Sequence, residues 1–126
     1  MTKLNCPKEY NEQVTLAEYL DLKGYCWCHV PNGGNRDAAT GAKMKKQGTK
    51  AGFPDVIIFD VPEEIEGIAG HLHNGIAIEL KRIKGGKVRE NQLKWLRKLG
   101  SRDWITKVCY GADEAIDFLE KIFEEV

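Results

Sequence analysis

The sequence predicts an α/β domain in which helices flank a mixed central sheet. Three observations support this fold class. Segments with apolar residues at helical spacing alternate with short β-branched runs, glycines separate the segments, and no internal repeat or low-complexity linker interrupts the order. The chain has 126 residues, of which 42% are hydrophobic and 30% charged, so it can bury a core and does not have a disordered composition. We therefore expect a single domain over residues 1–126.

The first half of the chain predicts two helices and two strands. Leu16 and Leu20 recur at helical spacing ahead of Gly24, a residue type that commonly ends helices. A Pro-Asn-Gly-Gly-Asn run over 31–35 breaks the chain after a short strand, and the β-branched run at 55–59 indicates a strand covered on both faces. The predicted elements are a helix over 9–23, a strand over 25–30, a small helix over 37–46 and a strand over 55–59.

The second half predicts two further strands, each followed by a helix. Residues 61–75 show no regular pattern, and a strand then covers 76–81. Gly85 and Gly86 interrupt the chain before a helix over 88–99, for which Gly100 is the expected C-cap. A strand over 104–110 and a helix over 112–126 with a single apolar stripe complete the order.

Charge is segregated along a chain whose net charge is zero, with 19 basic and 19 acidic residues. Residues 43–50 and 81–89 are basic and contain no acid, whereas the last 14 residues contain six acids and one lysine. The basic segments are suited to bind a phosphate backbone, although ordinary solvated faces would have the same composition. The candidate phosphate-binding residues are Lys43, Lys45, Lys46, Lys50, Arg82, Lys84, Lys87 and Arg89.

Composition also bears on compartment and cysteine chemistry. No apolar run approaches the about 20 residues that cross a bilayer, and the N-terminus lacks the apolar stretch of a secretory signal, so we expect a cytoplasmic protein without a membrane partner. The cysteines are then expected to be thiols, with Cys26 and Cys28 buried on a core strand. A zinc site formed by Cys26, Cys28 and His29 with His71 and His73 is a weaker alternative, because its spacing fits no common zinc module.

Acidic and basic side chains are predicted to meet at two of the strands. Alternation in strand 76–81 places Glu79 and Lys81 on one face beside the small Ala77. Pro54 restricts the backbone ahead of Asp55 and holds its carboxylate at the entry of the preceding strand. Two acids can therefore converge in a form that suits Mg²⁺, and a lysine beside them can stabilise charge on a phosphoryl group.

Two other polar residues are expected to face inward from helices. Glu9 shares a helix face with Leu16 and Leu20, with Glu12 at its margin, and Gln92 lies on the inward stripe of the helix over 88–99. Simpler interpretations stay open for the whole set. A strand Glu-x-Lys is usually an exposed ion pair, a Pro-Asp is usually a turn, and a buried glutamine can be satisfied by structural hydrogen bonds alone.

These residues resemble a known pattern. Pro54-Asp55 followed by Glu79-Leu80-Lys81 is similar to the motif of the PD-(D/E)XK nuclease superfamily. Over nearly its whole length the chain also resembles the VRR-NUC (virus-type replication-repair nuclease) domain, especially its small stand-alone phage or bacterial members. The matching segments are Glu9-x-x-x-Gln13, Pro31-Asn32-Gly33-Gly34, Gly48-x-Lys50-Ala51-Gly52-x-Pro54-Asp55, Ile78-Glu79-Leu80-Lys81-Arg82, Gln92 and Gly111-x-Asp113-Glu114-Ala115.

The resemblance implies a restriction-endonuclease-like fold and hydrolysis of phosphodiester bonds with Mg²⁺ or Mn²⁺, with branched DNA such as four-way (Holliday) junctions as substrate. Asp55 and Glu79 would bind the metal together with the backbone carbonyl of Leu80 and, directly or through water, Glu9. Lys81 would be the catalytic lysine, and Gln92 of the following helix would complete the catalytic set. A non-catalytic nucleic-acid-binding or assembly protein with this fold is the alternative, which the complete set of Asp55, Glu79 and Lys81 disfavours.

The implied substrate leads to an expected oligomeric state. One chain carries one catalytic set, whereas resolving a four-way junction needs two symmetric cuts. We therefore expect a C₂ homodimer, the commonest soluble oligomer. The candidates for its interface are the segment 61–75, with Ile65, Ile68 and Leu72, and the edge of the sheet.

Overall fold

The computed structural model describes residues 8–31, 37–62 and 73–124. Four helices and four strands are assigned within these ranges. In chain order they are α1 (Glu9–Lys23), β1 (Trp27–His29), α2 (Ala38–Lys46), β2 (Val56–Ile58), β3 (Gly75–Lys81), α3 (Glu90–Gly100), β4 (Trp104–Tyr110) and α4 (Ala112–Ile122). The alternation of helices and strands confirms the predicted α/β class.

The four strands form one mixed sheet in the order β1-β2-β3-β4. Strand β2 pairs antiparallel with both β1 and β3, and Val56 lies opposite Ile78. Strand β4 pairs parallel with β3, which requires the crossover that α3 supplies. Because β3 and β4 run in the same direction, Lys81 and Tyr110 end at the same edge of the sheet.

The main core lies on the sheet face that α1 and α4 cover. Leu16 and Leu20 of α1 and Leu119 of α4 are fully buried in one cluster with Ile78 and Leu80 of β3. Side chains alternate along β3, so Glu79 and Lys81 point to the opposite face, where α3 lies. The predicted division of the strand into an apolar face and a face that carries Glu79 and Lys81 is confirmed.

Helix ends agree with the predictions at α1 and differ at α3. Helix α1 ends at Gly24, whose φ of 76° is the left-handed conformation that favours glycine. Helix α3 begins at Glu90 because Arg89 is still extended, and Gly100 belongs to the helix. The prediction that Gly100 is the C-cap is wrong, since Ser101 takes that position and the left-handed residue is Asp103, with φ 65°.

The surface of β1 requires a second correction. Cys26 and Cys28 are exposed free thiols, so the prediction that they are buried is wrong. Trp27 packs against the core, and strand alternation turns its two neighbours to the other face. Cys109, by contrast, is a buried thiol on β4.

Two further findings concern the other helices. Helix α2 is capped by the Asp37 side chain, which accepts from the Thr40 N–H at 2.6 Å, and none of its residues is buried. Among the described residues, no helix has the length and apolarity that a membrane crossing needs.

The residues suggested for a dimer interface, Ile65, Ile68 and Leu72, lie outside the described residues.

Candidate active site

The structure brings Asp55, Glu79 and Lys81 together where β2 begins and β3 ends. Asp55 immediately precedes β2, and the pairing of Val56 with Ile78 sets it beside Glu79. Its Oδ2 accepts a hydrogen bond of 2.8 Å from the Leu80 N–H. The Lys81 ammonium lies 3.4 Å from Glu79 Oε2, and both side chains are almost completely buried. The convergence predicted from the sequence is therefore present.

Helix α3 holds the loop that leads to Asp55. Gly52 has a φ of 84°, and a Cβ there would lie 2.8 Å from the Asn91 backbone, so only glycine allows this approach. Phe53 packs edge-on against Trp95, with ring centroids 5.1 Å apart. The position of Asp55 is thus set by packing against α3 as well as by Pro54.

Glu79 has an environment that penalises its charged form. Only 2% of the residue is exposed, and its Oε1 is buried without a hydrogen-bond partner among the described residues. Burial, followed by repulsion from Asp55, raises the pKa of Glu79 to about 8, although Lys81 opposes this shift. The two carboxylates therefore need a shared proton or a cation between them.

This raised pKa predicts how the metal-free protein responds to pH. A carboxyl with a higher pKa in the folded state stabilises the fold at low pH, and that stabilisation is lost as pH rises from the ordinary 4.5 towards 8. We expect the free energy of unfolding to fall by up to about 1.4 kcal/mol per pH unit in this window. Denaturant titrations of the wild type and Glu79→Gln from pH 5 to 8 measure the effect, and equal slopes would contradict it.

Gln92 connects helix α3 to Glu79. Its Nε2 donates to Glu79 Oε2 at 3.2 Å, while its Oε1 accepts from the Arg89 backbone N–H at 2.8 Å. The second bond satisfies one of the unpaired amides at the helix start. Gln92 therefore has the partner that its inward position requires, and its contact in this structure is with the carboxylate of Glu79.

Glu9 lies at the exposed margin of the same group. Partial burial raises its pKa, Asp55 raises it further, and Lys81 and Arg82 act in the opposite direction. The charges of Asp55, Lys81 and Arg82 therefore all influence the pKa of the Glu9 carboxyl. One turn later on α1, the Nε2 of Gln13 is buried without a hydrogen-bond partner among the described residues.

Glu12 is a buried residue that the sequence placed only at the margin of a helix face. It is 8% exposed, and its Oε1 accepts a 2.7 Å hydrogen bond from the Ala112 N–H at the start of α4. A carboxylate suits this place because helix N-termini carry unpaired N–H groups and a positive dipole end. The only sequence signal was its helical angle, since the partner lies 100 residues away.

The basic segments occupy exposed positions. Lys43, Lys45 and Lys46 form the last turn of α2, and Lys50 follows in the loop towards Asp55. Arg82, Lys84, Lys87 and Arg89 are exposed between the end of β3 and the start of α3. This second group directly follows Lys81 along the chain, so its cations lie in the segment that connects β3 to α3.

The donors at this site fit a hard divalent cation. Mg²⁺ is commonly held by one or two carboxylates with water completing its shell, and Asp55 and Glu79 provide two carboxylates with one free buried oxygen.

Within the described ranges no group of three or more His, Cys, Asp or Glu side chains is arranged to bind a metal. That result gives no support to the zinc alternative around Cys26 and Cys28, for which His71 lies outside the described residues.

Comparison with known proteins agrees with this fold. A solved structure described as a VRR_NUC domain protein has a TM-score of 0.76 to this chain at 20% identity, over 96% of this chain and 92% of that one. At that identity the likeness establishes the fold. No curated protein matches the sequence. The family model for the VRR-NUC domain matches residues 7–113, a range that contains Glu9, Asp55, Glu79, Lys81 and Gln92. The chain therefore belongs to the VRR-NUC family of nuclease domains.

Proposed function

We propose that the protein is a Mg²⁺- or Mn²⁺-dependent endonuclease that hydrolyses phosphodiester bonds in DNA. The observation that carries the proposal is the buried carboxylate of Glu79, which has an unpartnered oxygen, beside the half-buried carboxylate of Asp55 and the buried ammonium of Lys81. A buried ion pair adds little net stability, because desolvation offsets its attraction. Catalytic chemistry accounts for such a cluster better than folding does.

Asp55 and Glu79 would hold the cation, with the carbonyl of Leu80 as a further ligand and Glu9 contributing directly or through water. A cation bound there acts as a Lewis acid on a phosphoryl oxygen and lowers the pKa of a water molecule. Asp55 is oriented for this role by its hydrogen bond to the Leu80 N–H, and Glu79 by the amide of Gln92.

Lys81 would counter the charge that develops on the phosphate. Its ammonium is fixed beside Glu79 and largely shielded from water, which makes its field stronger than that of an exposed cation. Gln92, which touches Glu79, is best assigned as a positioning residue for that carboxylate.

Exposed cations in the chain segments that flank the site residues support DNA as the substrate. Arg82, Lys84, Lys87 and Arg89 follow the catalytic strand, and the lysines at 43, 45, 46 and 50 precede Asp55 along the chain. Cations of this kind bind phosphates without reading base sequence. We therefore propose recognition that does not depend on base sequence. The resemblance to stand-alone VRR-NUC members leads us to propose branched DNA, such as four-way junctions, as the preferred substrate.

A cleavage assay with Mg²⁺ and with Mn²⁺ across linear, flap, splayed and four-way DNA tests the proposal. We expect cation-dependent cleavage, strongest on branched substrates, and none with EDTA. Cleavage of all forms at one rate would overturn the branched preference. DNA binding without cleavage under every condition would favour a non-catalytic binding or assembly protein.

The oligomeric state is a separate prediction. Two symmetric cuts in a junction need two sites, so we expect a C₂ dimer with twice the mass of the 14.2 kDa chain. The acidic face of α4 is unsuited to the centre of the interface, since a two-fold axis there would oppose like charges. Light scattering at micromolar concentration, together with mapping of nicks on opposing junction strands, measures this. A strict monomer that nicks single branches would contradict it.

A further inference from the structure

Glu12 is a buried charged residue with no part in the chemistry described above. Among the described residues it shares that burial only with Glu79 and Lys81, which lie at the active site. Its carboxylate is committed to one backbone group, the Ala112 N–H at 2.7 Å. Burying a carboxylate is costly, so a contact of this kind requires an explanation.

The contact lies next to the end of the catalytic strand. The N–H of Gly111, one residue before Ala112, donates to the Lys81 carbonyl at 2.7 Å. Gly111 has a φ of 94°, and a Cβ there would lie 3.3 Å from Glu12 Oε1 and 2.7 Å from Ile83 Cγ1. Two successive amides, of Gly111 and Ala112, therefore connect the backbone of Lys81 to helix α1.

The same part of α1 carries Glu9. Glu9 and Glu12 both lie in the first turn of α1, and no side-chain hydrogen bond caps that end of the helix. A second α1–α4 link lies two turns further on, where the Tyr19 hydroxyl donates to Glu120 Oε1 at 2.8 Å. The two links join the same pair of helices, but only the Glu12 link is adjacent to Lys81.

We propose that Glu12 is a positioning residue for the active site. Its hydrogen bond to Ala112 fixes the first turn of α1, and with it Glu9, against the strand end that carries Lys81. The inference rests on the proposed nuclease function, because its catalytic consequence is the placement of Glu9 relative to Asp55 and Lys81. Displacement of a reacting group by about 1 Å can cost about 100-fold in rate.

The test compares Glu12→Ala and Glu12→Gln with Tyr19→Phe, which breaks the distal link. We expect kcat of Glu12→Ala on a four-way junction to fall by about 10- to 100-fold with little change in KM. Glu12→Gln should keep most of the activity, because an amide oxygen can accept the same bond. Tyr19→Phe should keep the wild-type rate. A wild-type rate in Glu12→Ala, or an equal loss in Tyr19→Phe, would overturn the proposal.

Two further measurements separate positioning from stability. Amide exchange in the metal-free protein should rise in the first turn of α1 for Glu12→Ala and stay unchanged there for Tyr19→Phe. Adding Ala112→Pro to Glu12→Ala removes the orphaned N–H at a helix position where proline is tolerated. We expect this double variant to regain thermal stability relative to Glu12→Ala while its rate stays low, and recovery of the wild-type rate would show that Glu12 acts only through stability.

The outcomes also distinguish this inference from the function on which it rests. If wild-type protein fails to cleave any DNA, the proposed function is wrong whatever Glu12 does. If wild-type protein cleaves and Glu12→Ala is equally active with unchanged exchange in α1, the inference alone is wrong. Should Glu12→Ala not fold, the double variant and Glu12→Gln still provide the comparison.

Discussion

Glu79→Gln is expected to abolish metal-dependent DNA cleavage while leaving the fold intact. The substitution keeps the shape of the side chain and an oxygen that can accept from Gln92, but it removes the negative charge that a divalent cation needs. It also removes the repulsion between Glu79 and Asp55 that burial intensifies. The variant should therefore be at least as stable as the wild type at pH 8 in the absence of metal.

Asp55→Asn should have the same effect on cleavage for the same reason. Its amide oxygen can still accept the Leu80 N–H, so the loop ahead of β2 should stay in place. DNA binding without metal should be kept or strengthened in both variants, because the lost carboxylate repels phosphate.

Three measurements test this prediction: a cleavage assay, calorimetric titration with Mn²⁺, and DNA binding in EDTA. We expect no cleavage and no Mn²⁺ uptake in either variant. Glu18→Gln, which alters an exposed acid on the outer face of α1, is the matched control and should behave as wild type. Full activity of Glu79→Gln would rule out its assignment as a metal ligand.

Local patterns were sufficient to predict the parts of the fold that depend on short-range physics. The alternation of side chains along β3 separated Glu79 and Lys81 from the core residues, and the structure has that division. The end of α1 at Gly24 followed from the ease with which glycine adopts positive φ. In each case the deciding interaction lies within a few residues of the chain.

Features that depend on distant parts of the chain were missed or misjudged. Glu12 contacts Ala112 across 100 residues, and no local signal reports that pairing. Cys26 and Cys28 are exposed because Trp27 faces the core, and the sequence around β1 does not reveal which face a neighbouring helix will cover. The inward position of Gln92 predicts that it needs a hydrogen-bond partner. The sequence does not show that this partner is Glu79, because the contact depends on how α3 crosses over between β3 and β4.

Lys81→Ala is expected to lower the cleavage rate by about 10²- to 10³-fold, the loss typical of removing one fixed electrostatic stabiliser. The loss should be large because Lys81 is 7% exposed, so little water screens its charge. Binding of Mn²⁺ should persist, since the carboxylates of Asp55 and Glu79 remain and a competing positive charge has been removed. Single-turnover rates and calorimetry on the same preparation measure both quantities.

The matched control is Lys107→Ala on the neighbouring strand. Lys107 is exposed on β4, and its ammonium lies 5.8 Å from the centroid of the Phe118 ring of α4, on the other side of the sheet from Glu79. Its removal should leave cleavage unchanged, because its charge is solvated and faces away from the site. If Lys81→Ala instead loses Mn²⁺ binding or fails to fold, then Lys81 serves as the structural ion-pair partner of Glu79, and the role proposed for its ammonium in stabilising the phosphate is wrong.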